Sequence, residues 1–194
     1  MDIEVLFPTL IGTHQADPDT VRAIEQEVLS QEAFLKEQLS FSWGDNVLTS
    51  FERVPHIFEA AHLDTLRGFV EACVFEFVQQ TRKNARMAID PGHSQSWINV
   101  TRKFGYQERH NHERTVEGLP ISGVYYFKTN GQDGNFGIFP SDAQTKLFST
   151  FEVQPAVGKL LLFRSEVYHR VGANFTDEDR ISFAFNYVLK PIGT

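Results

Sequence analysis

Hydrophobic residues in the first half of the chain recur at helical spacing. Asp17-Pro18 is a helix start signal, because aspartate caps helix N-termini and proline loses no needed N–H at the first helical position. Val21, Ile24 and Val28 then follow at intervals of three and four residues, which predicts a helix over residues 18–36. A second stripe predicts a helix over residues 58–81; its members are Leu63, Leu66, Val70, Val74 and Phe77. Residues 40–57 show no clear period and are predicted to form an irregular connection. Residues 3–12 are predicted to form a short strand, which runs over residues 3–7, is broken by Pro8 and continues at Leu10-Ile11.

From residue 94 onward the pattern changes to short strands separated by turn residues. The candidate strands are 96–102, 121–128, 136–139, 148–154, 159–163, 168–172 and 180–189. Two helices followed by about seven strands predict a mainly β protein with N-terminal helices. The expected architecture is a double-stranded β-helix, that is, a cupin-like jelly roll with the helices packed on one sheet. We expect one domain, in which residues 1–93 are a mostly helical support region and residues 94–194 a jelly-roll core that carries the site.

The last predicted strand separates apolar from polar residues most clearly. Its apolar face, predicted to pack under the helices, consists of Ile181, Phe183, Phe185, Tyr187 and Leu189. Its other face consists of Arg180, Ser182, Ala184 and Asn186. In a closed sheet that second face lines the interior, where an arginine is costly unless it is paired. Arg180 beside Ser182 therefore indicates a binding site for a carboxylate.

Composition restricts the class of protein. A net charge of -7 over 194 residues argues against nucleic acid as a partner, because no surplus of cations is present to neutralise phosphates. Cys73 is the one cysteine, so the chain forms no internal disulfide and suits a reducing compartment. No apolar run is long enough to span a membrane, and the first residues lack the cationic region of a signal peptide. We expect a cytoplasmic protein with no membrane or nucleic-acid partner.

Three histidines indicate a metal site. His110 and His112 are one residue apart, so on a single β-strand both point to the same face and can bind one ion. His169 lies on a later predicted strand, and Arg180 follows eleven residues after it. Imidazole suits Zn, Cu, Fe and Ni, so this spacing predicts a metal site with an anionic co-ligand and leaves the metal open. The remaining histidines have no partners in sequence and are assigned no role; they are His14, His56, His62 and His93.

These segments resemble a known family. The chain has Arg109-His110-Asn111-His112-Glu113, then Ser122-Gly123-Val124-Tyr125-Tyr126, then the distal His169, and so resembles the Fe(II)- and 2-oxoglutarate-dependent oxygenases. Within them it is most similar to an uncharacterised bacterial and phage-type group with a His-x-His…His motif. The resemblance, over about residues 95–189, implies that His110 and His169 bind the metal and that Arg180 binds the 2-oxoglutarate carboxylate. His112 stands where the family usually has a carboxylate.

The resemblance also suggests secondary contacts and a reaction. Ser182 would add a hydrogen bond to 2-oxoglutarate, and Asn99, Tyr106 and Tyr126 are further candidates to contact it. No catalytic residue is implied beyond the metal ligands. The implied reaction is hydroxylation of a small-molecule or peptide substrate with release of succinate and CO2.

Two other functions remain open at this point. One is a three-histidine, cupin-like metal oxygenase that does not use 2-oxoglutarate; Arg180 argues against it, because that chemistry needs no carboxylate-binding cation. The other is a non-catalytic jelly-roll module that binds Zn(II) or another metal.

Overall fold

A computed structural model describes residues 8–42, 46–83, 85–113, 115–139 and 150–192. The helices are α1 (Pro18–Ser30), α2 (Glu32–Glu37), α3 (Ile57–Ala60) and α4 (Asp64–Thr81). The strands are β1 (Ile11–Gln15), β2 (Ser40–Phe41), β3 (Val47–Thr49), β4 (Met87–Ile89), β5 (Gln95–Thr101), β6 (Gln107–His110), β7 (Leu119–Lys128), β8 (Phe136–Ile138), β9 (Phe151–Val153), β10 (Lys159–Arg164), β11 (His169–Val171) and β12 (Arg180–Pro191).

Each of the two predicted helices is divided in the structure. Asp17 caps α1, and its carboxylate accepts backbone N–H bonds from Asp19 and Thr20 at 2.9 and 3.0 Å. The predicted helix over residues 18–36 breaks at Gln31, which separates α1 from α2. The one over 58–81 breaks at His62, whose φ of 50° is left-handed and ends the right-handed helical path. α4 therefore starts at Asp64, a break that the apolar stripe does not indicate.

The large antiparallel sheet has the order β1-β10-β7-β12-β5-β3-β2, with β4 also paired to β12. β12 lies near its centre and is the predicted strand 180–189 extended to Pro191. The expected division of its faces is confirmed, because Phe183, Phe185 and Leu189 join the core cluster formed with α1 and α4. The opposite face of β12 points into the interior of the jelly roll, with Arg180 and Ser182 lining the cavity there.

The amino-terminal part supplies strands as well as helices to this sheet. β1 pairs with β10, β3 with β5, and β4 with β12. The prediction that residues 40–57 are irregular is wrong, because β2 and β3 lie there and all three residues of β3 are buried. Strands of two or three residues are too short to show the alternation by which a strand is predicted. The strand predicted over residues 3–7 lies outside the described residues, as do the first two residues of the one predicted over 148–154, whose described part contains β9.

The small antiparallel sheet has the order β6-β11-β8-β9 and faces the interior side of the large one. In it His169 of β11 lies directly opposite His110 of β6. Two antiparallel sheets with helices on the outer face of the larger confirm the predicted mainly β jelly roll. Within the described ranges, no helix has the length and apolar character needed to cross a membrane.

Candidate active site

A cavity of about 220 Å³ lies between the two sheets and collects most of the predicted site residues. The small sheet and the loop after β6 bring the three histidines to it. The large sheet contributes Arg180, Ser182, Asn99 and Tyr126. Residues far apart in sequence therefore meet in one enclosed space, with imidazoles on one wall and a guanidinium on the other.

The three histidines form a compact cluster. The rings of His110 and His169 have centroids 4.3 Å apart, and His112 lies 5.1 Å from each of them. One candidate ligand atom from each histidine lies within 4.8 Å of the other two. Three nitrogen donors at this separation match the size of a site for one metal ion with three protein ligands.

Backbone carbonyls orient two of these rings. His110 Nδ1 lies 2.6 Å from the Glu108 carbonyl, and His169 Nδ1 lies 2.9 Å from the Val167 carbonyl. A carbonyl only accepts, so each Nδ1 carries the proton and Nε2 keeps its lone pair for a metal. Burial lowers the pKa of His110, and burial with the neighbouring imidazoles lowers that of His169 to about 3. Both rings are therefore neutral at pH 7, as a metal ligand must be.

His112 reaches the cluster by a route that the sequence did not predict. β6 ends at His110, so the two histidines do not lie on one strand as expected, and His112 lies in the loop beyond. There its backbone N–H donates to the Ser165 carbonyl at 2.8 Å, and its ring packs edge-on against Trp97 with 5.8 Å between centroids. The i, i+2 argument was wrong because it required strand geometry past the point where the pairing of β6 with β11 stops.

The guanidinium of Arg180 is hydrogen-bonded through one nitrogen, Nη1, while the other, Nη2, is left without a partner among the described residues. Its side chain is 2% exposed, and Nη1 donates to the carbonyls of Asp133 and Gly134 at 2.5 and 2.8 Å. The Asp133 carboxylate, 4.0 Å from Nη1, is the nearby counter-charge. Nη2 is buried and has no hydrogen-bond partner among the described residues. Burial lowers the pKa of Arg180 and Asp133 opposes that shift, so the guanidinium stays charged with one unpaired edge.

A tight turn makes this arrangement possible. Gly134 has a φ of 98°, and a Cβ there would lie 2.2 Å from the Gly172 carbonyl oxygen. Glycine is therefore required, since a side chain at this position would push the turn away from Arg180. Asp133, which accepts a hydrogen bond from Thr129 at 2.7 Å, was not singled out in the sequence. An Asp-Gly dipeptide favours a turn, but nothing local links this one to an arginine 47 residues later.

Three of the predicted 2-oxoglutarate contacts form one row across the large sheet. Ser182 on β12 is opposite Asn99 on β5 and Tyr126 on β7. Asn99 is 7% exposed, and its Oδ1 has no hydrogen-bond partner within the described part of the chain. Burial raises the pKa of Tyr126, which keeps the phenol protonated as a hydrogen-bond donor. Ser182 follows Arg180 by two residues on β12, so this row is on the same face of the sheet as Arg180.

Tyr106 lies elsewhere. Its side chain is 50% exposed, and it is not among the residues that line the cavity. The pairing of β6 with β11 shifts between His110 and Gln107, so the single residue Arg170 of β11 lies opposite two residues of β6, Glu108 and Arg109. This bulge reverses the alternation, and Gln107 faces the cavity in place of its neighbours. The prediction that Tyr106 lines the cavity is therefore wrong.

Two aromatic residues at the cavity were missed. Phe51 and Trp97 pack edge to face with centroids 4.9 Å apart, and both line the cavity near His112. Phe51 belongs to the segment that was predicted to be irregular, where no sequence period indicated a neighbour. Trp97 alternates into the interior on β5, a signal available only once the facing sheet is known.

Comparisons with known proteins agree with this geometry. Residues 95–186 match the sequence profile of the family described as "Putative 2OG-Fe(II) oxygenase". No curated protein matches the chain. A prolyl-4-hydroxylase from Pseudomonas putida shares the fold with a TM-score of 0.64 at 16% identity, covering 93% of this chain and 92% of that one.

Two further structures show the same fold. A Trichoplax adhaerens prolyl hydroxylase in complex with a hypoxia inducible factor peptide fragment has a TM-score of 0.64 at 14% identity, over 92% of this chain and 83% of that one. HygX from Streptomyces hygroscopicus, with nickel, 2-oxoglutarate and hygromycin B bound, has a TM-score of 0.64 at 12% identity, over 93% and 83%.

The residues present fit the groups that this superfamily binds. Three imidazoles, two of which have their pKa lowered by burial, are suitable donors for ferrous iron. The unpaired Nη2 of Arg180, buried across the same cavity, fits a carboxylate. Residues 95–186, just under half of the chain, are similar to the 2OG-Fe(II) oxygenase family, and the fold is the one that the solved structures share; both agree with a site for iron as cofactor and 2-oxoglutarate as co-substrate.

Proposed function

We propose that this enzyme hydroxylates a still unidentified substrate, with His110, His112 and His169 as the iron ligands. Arg180 and Ser182 would bind the far carboxylate of 2-oxoglutarate, with Asn99 and Tyr126 completing its site. The observation that carries the proposal is the placement of the histidine cluster and the unpaired guanidinium edge on opposite walls of one cavity. Tyr106 has no part in it.

The chain's own residues would bind, orient and exclude water. When bound, iron and 2-oxoglutarate would supply the oxidising chemistry together with O2, which would give one oxygen atom to succinate as 2-oxoglutarate loses CO2 and the other to the hydroxyl group of the product. Three neutral imidazoles add no charge to the site, so the two negative charges of 2-oxoglutarate would balance the two positive charges of Fe(II). The buried phenol of Tyr126 would donate to the co-substrate and hold its own proton.

The lining residues favour a substrate whose reacting part is small and uncharged. Apart from the histidines, Arg180 is the one residue with a charged side chain at pH 7 among those lining the cavity in the described part of the chain. With Arg180 bound to 2-oxoglutarate, the lining that remains is uncharged and includes the aromatic pair of Phe51 and Trp97 beside His112. Neighbours of this fold carry a peptide fragment in one case and hygromycin B in another, so both substrate sizes stay open.

The alternatives fit the cavity less well. A three-histidine oxygenase without 2-oxoglutarate, or a Zn(II)-binding module, has no use for a buried arginine with an unpaired edge. A cytoplasmic location and the absence of a nucleic-acid partner stay predictions from composition. A possible homodimer stays a prediction from the resemblance, because oxygenases of this fold often pair through their helices and the second predicted helix carries Phe69 and Phe75.

An anaerobic titration tests the proposal. Fe(II) and then 2-oxoglutarate are added to the metal-free protein, and the weak visible charge-transfer band of the iron chelate is recorded. We expect a band that needs both components, is lost in Arg180→Ala and is lost or shifted in His112→Ala. Iron binding without the band would favour the oxygenase that does not use 2-oxoglutarate, and no iron binding would favour the non-catalytic module.

A further inference from the structure

His112 differs from the other two histidines in how it is supported. Strand pairing places His110 opposite His169, whereas His112 lies past the end of β6. Its backbone is fixed there by the N–H bond to the Ser165 carbonyl, at the point where β10 has ended. The position of the third proposed ligand therefore depends on the position of Ser165.

The backbone N–H of Ser165 donates to the Pro120 carbonyl at 3.2 Å, and a buried chain of hydrogen bonds holds its side chain. Its Oγ lies 2.8 Å from Ser122 Oγ, and Ser122 Oγ lies 2.6 Å from Asn186 Oδ1. An amide oxygen can only accept, so Ser122 donates to Asn186 and Ser165 in turn donates to Ser122. Hydrogen-bond donation therefore runs in one direction, from Ser165, whose carbonyl accepts from His112, through Ser122 to Asn186 on the central strand β12.

We propose that Ser122, Ser165 and Asn186 form a serine bracket that positions His112 for metal binding. The bracket links three strands or their ends: Ser122 on β7, Asn186 on β12 and Ser165 after β10. These are positioning residues, because they act through the Ser165 carbonyl on the His112 backbone. This inference rests on the proposed role of His112 as a ligand.

Burial argues that the bracket has a purpose beyond packing. The three side chains are 1–4% exposed, and Asn186 Nδ2 has no hydrogen-bond partner among the described residues. An apolar trio would avoid the cost of an unsatisfied amide in this place. A polar chain with fixed donor order instead holds one loop geometry, which is what a ligand outside a strand requires.

A matched control is a serine just before β5 that bonds to the same central strand, β12. Ser94 is also a buried serine, 4% exposed, with two hydrogen bonds: to the Asp90 carbonyl at 2.7 Å and from the Val188 N–H at 3.2 Å. It supports β12 as Ser122 does, but it does not line the cavity. Ser94→Ala therefore removes a comparable buried hydroxyl without touching the histidines.

The test is titration with Co(II) alone, whose d–d absorption reports both affinity and ligand geometry. Wild type, Ser122→Ala, Ser165→Ala, Ser94→Ala, His110→Ala and His112→Ala are compared, with the melting temperature of each recorded. We expect Ser122→Ala and Ser165→Ala to weaken Co(II) binding roughly tenfold, the lower end for residues supporting a metal ligand. Their spectra should approach that of His112→Ala, while Ser94→Ala stays within about twofold of wild type at a similar loss of melting temperature.

The two serines should also behave as one unit. Because they belong to one chain of bonds, the double variant Ser122→Ala/Ser165→Ala should lose little more affinity than either single variant. Ser165 does not line the cavity, so its effect cannot come from a changed cavity wall. If Ser122→Ala and Ser165→Ala gave the same Co(II) spectrum and affinity as Ser94→Ala, the bracket would be overturned and the proposed metal site would be left intact. If His110→Ala bound Co(II) with the same affinity as wild type, the proposed metal site would be overturned, and the bracket with it.

Discussion

Arg180→Lys tests how the protein recognises 2-oxoglutarate. The arginine uses two edges: Nη1 donates to the carbonyls of Asp133 and Gly134, and Nη2 is left for a ligand. Lysine keeps the charge beside the Asp133 carboxylate but has one nitrogen, which cannot serve both the turn and the ligand. We therefore expect 2-oxoglutarate affinity to fall while the fold persists.

The magnitude follows from the bond that is lost. A hydrogen bond to a charged group contributes about 1.5–3 kcal/mol, and each ~1.4 kcal/mol is a factor of ten in the dissociation constant. Arg180→Lys should therefore weaken 2-oxoglutarate binding roughly 10- to 150-fold. Arg180→Ala should in addition lose about 3–5 kcal/mol of the free energy of unfolding, because it leaves the buried Asp133 carboxylate without its cation.

The assay is the anaerobic titration of the Fe(II)-loaded protein with 2-oxoglutarate, with Co(II) affinity as the control. The substitution is on the wall opposite the histidines, so Co(II) binding should stay within about twofold of wild type. A 2-oxoglutarate affinity unchanged in Arg180→Lys would refute the assignment of the unpaired edge. An equal loss of Co(II) and 2-oxoglutarate binding would show a damaged cavity instead.

Three further predictions concern the surroundings of this site and the rest of the core. Asp133→Asn removes the counter-charge 4.0 Å from Arg180, so the free energy of unfolding of the cofactor-free protein, measured by chemical denaturation, should fall by about 3 kcal/mol. 2-Oxoglutarate should then raise the melting temperature of this variant more than that of wild type. Asp177→Asn, at an 89%-exposed carboxylate, is the control and should change neither quantity. His112→Asp introduces the carboxylate usual in the superfamily and should retain Fe(II) within roughly tenfold of wild type, whereas His112→Ala should lose more, as measured by Fe(II) titration. Cys73 is 6% exposed and burial, with Glu76 nearby, raises its pKa to about 11, so a thiol reagent at pH 8 should label it in denaturant and very slowly in the folded protein.

The local pattern of the chain was enough for the fold class and for part of the site. Alternation along β12 correctly divided its helix-facing side from its cavity-facing side, because a strand in a two-layer fold must bury one face against each layer. The same alternation placed Arg180 and Ser182 in the interior. The spacing of His110, His112 and His169 indicated a cluster that the structure brings together.

Several features were outside the reach of local patterns. β3 is three residues long and its place in the large sheet comes from pairing with β5, so no period revealed it. The break at His62 depends on one backbone angle, and the exposure of Tyr106 depends on the bulge between β6 and β11. The position of β3 and the exposure of Tyr106 are decided by contacts with another element, and the break at His62 by the local backbone.

The sequence by itself determined the types of side chain available: imidazoles for a metal, one buried cation for a carboxylate, and the alternating strands that carry them. The tertiary structure decided which edge of Arg180 is open, because the Asp133-Gly134 turn reaches it from a distant loop and occupies Nη1. It also decided how His112 joins the cluster, through Ser165 and not through a strand. Both outcomes depend on hydrogen bonds between segments far apart in the chain, and such bonds leave no period in the sequence.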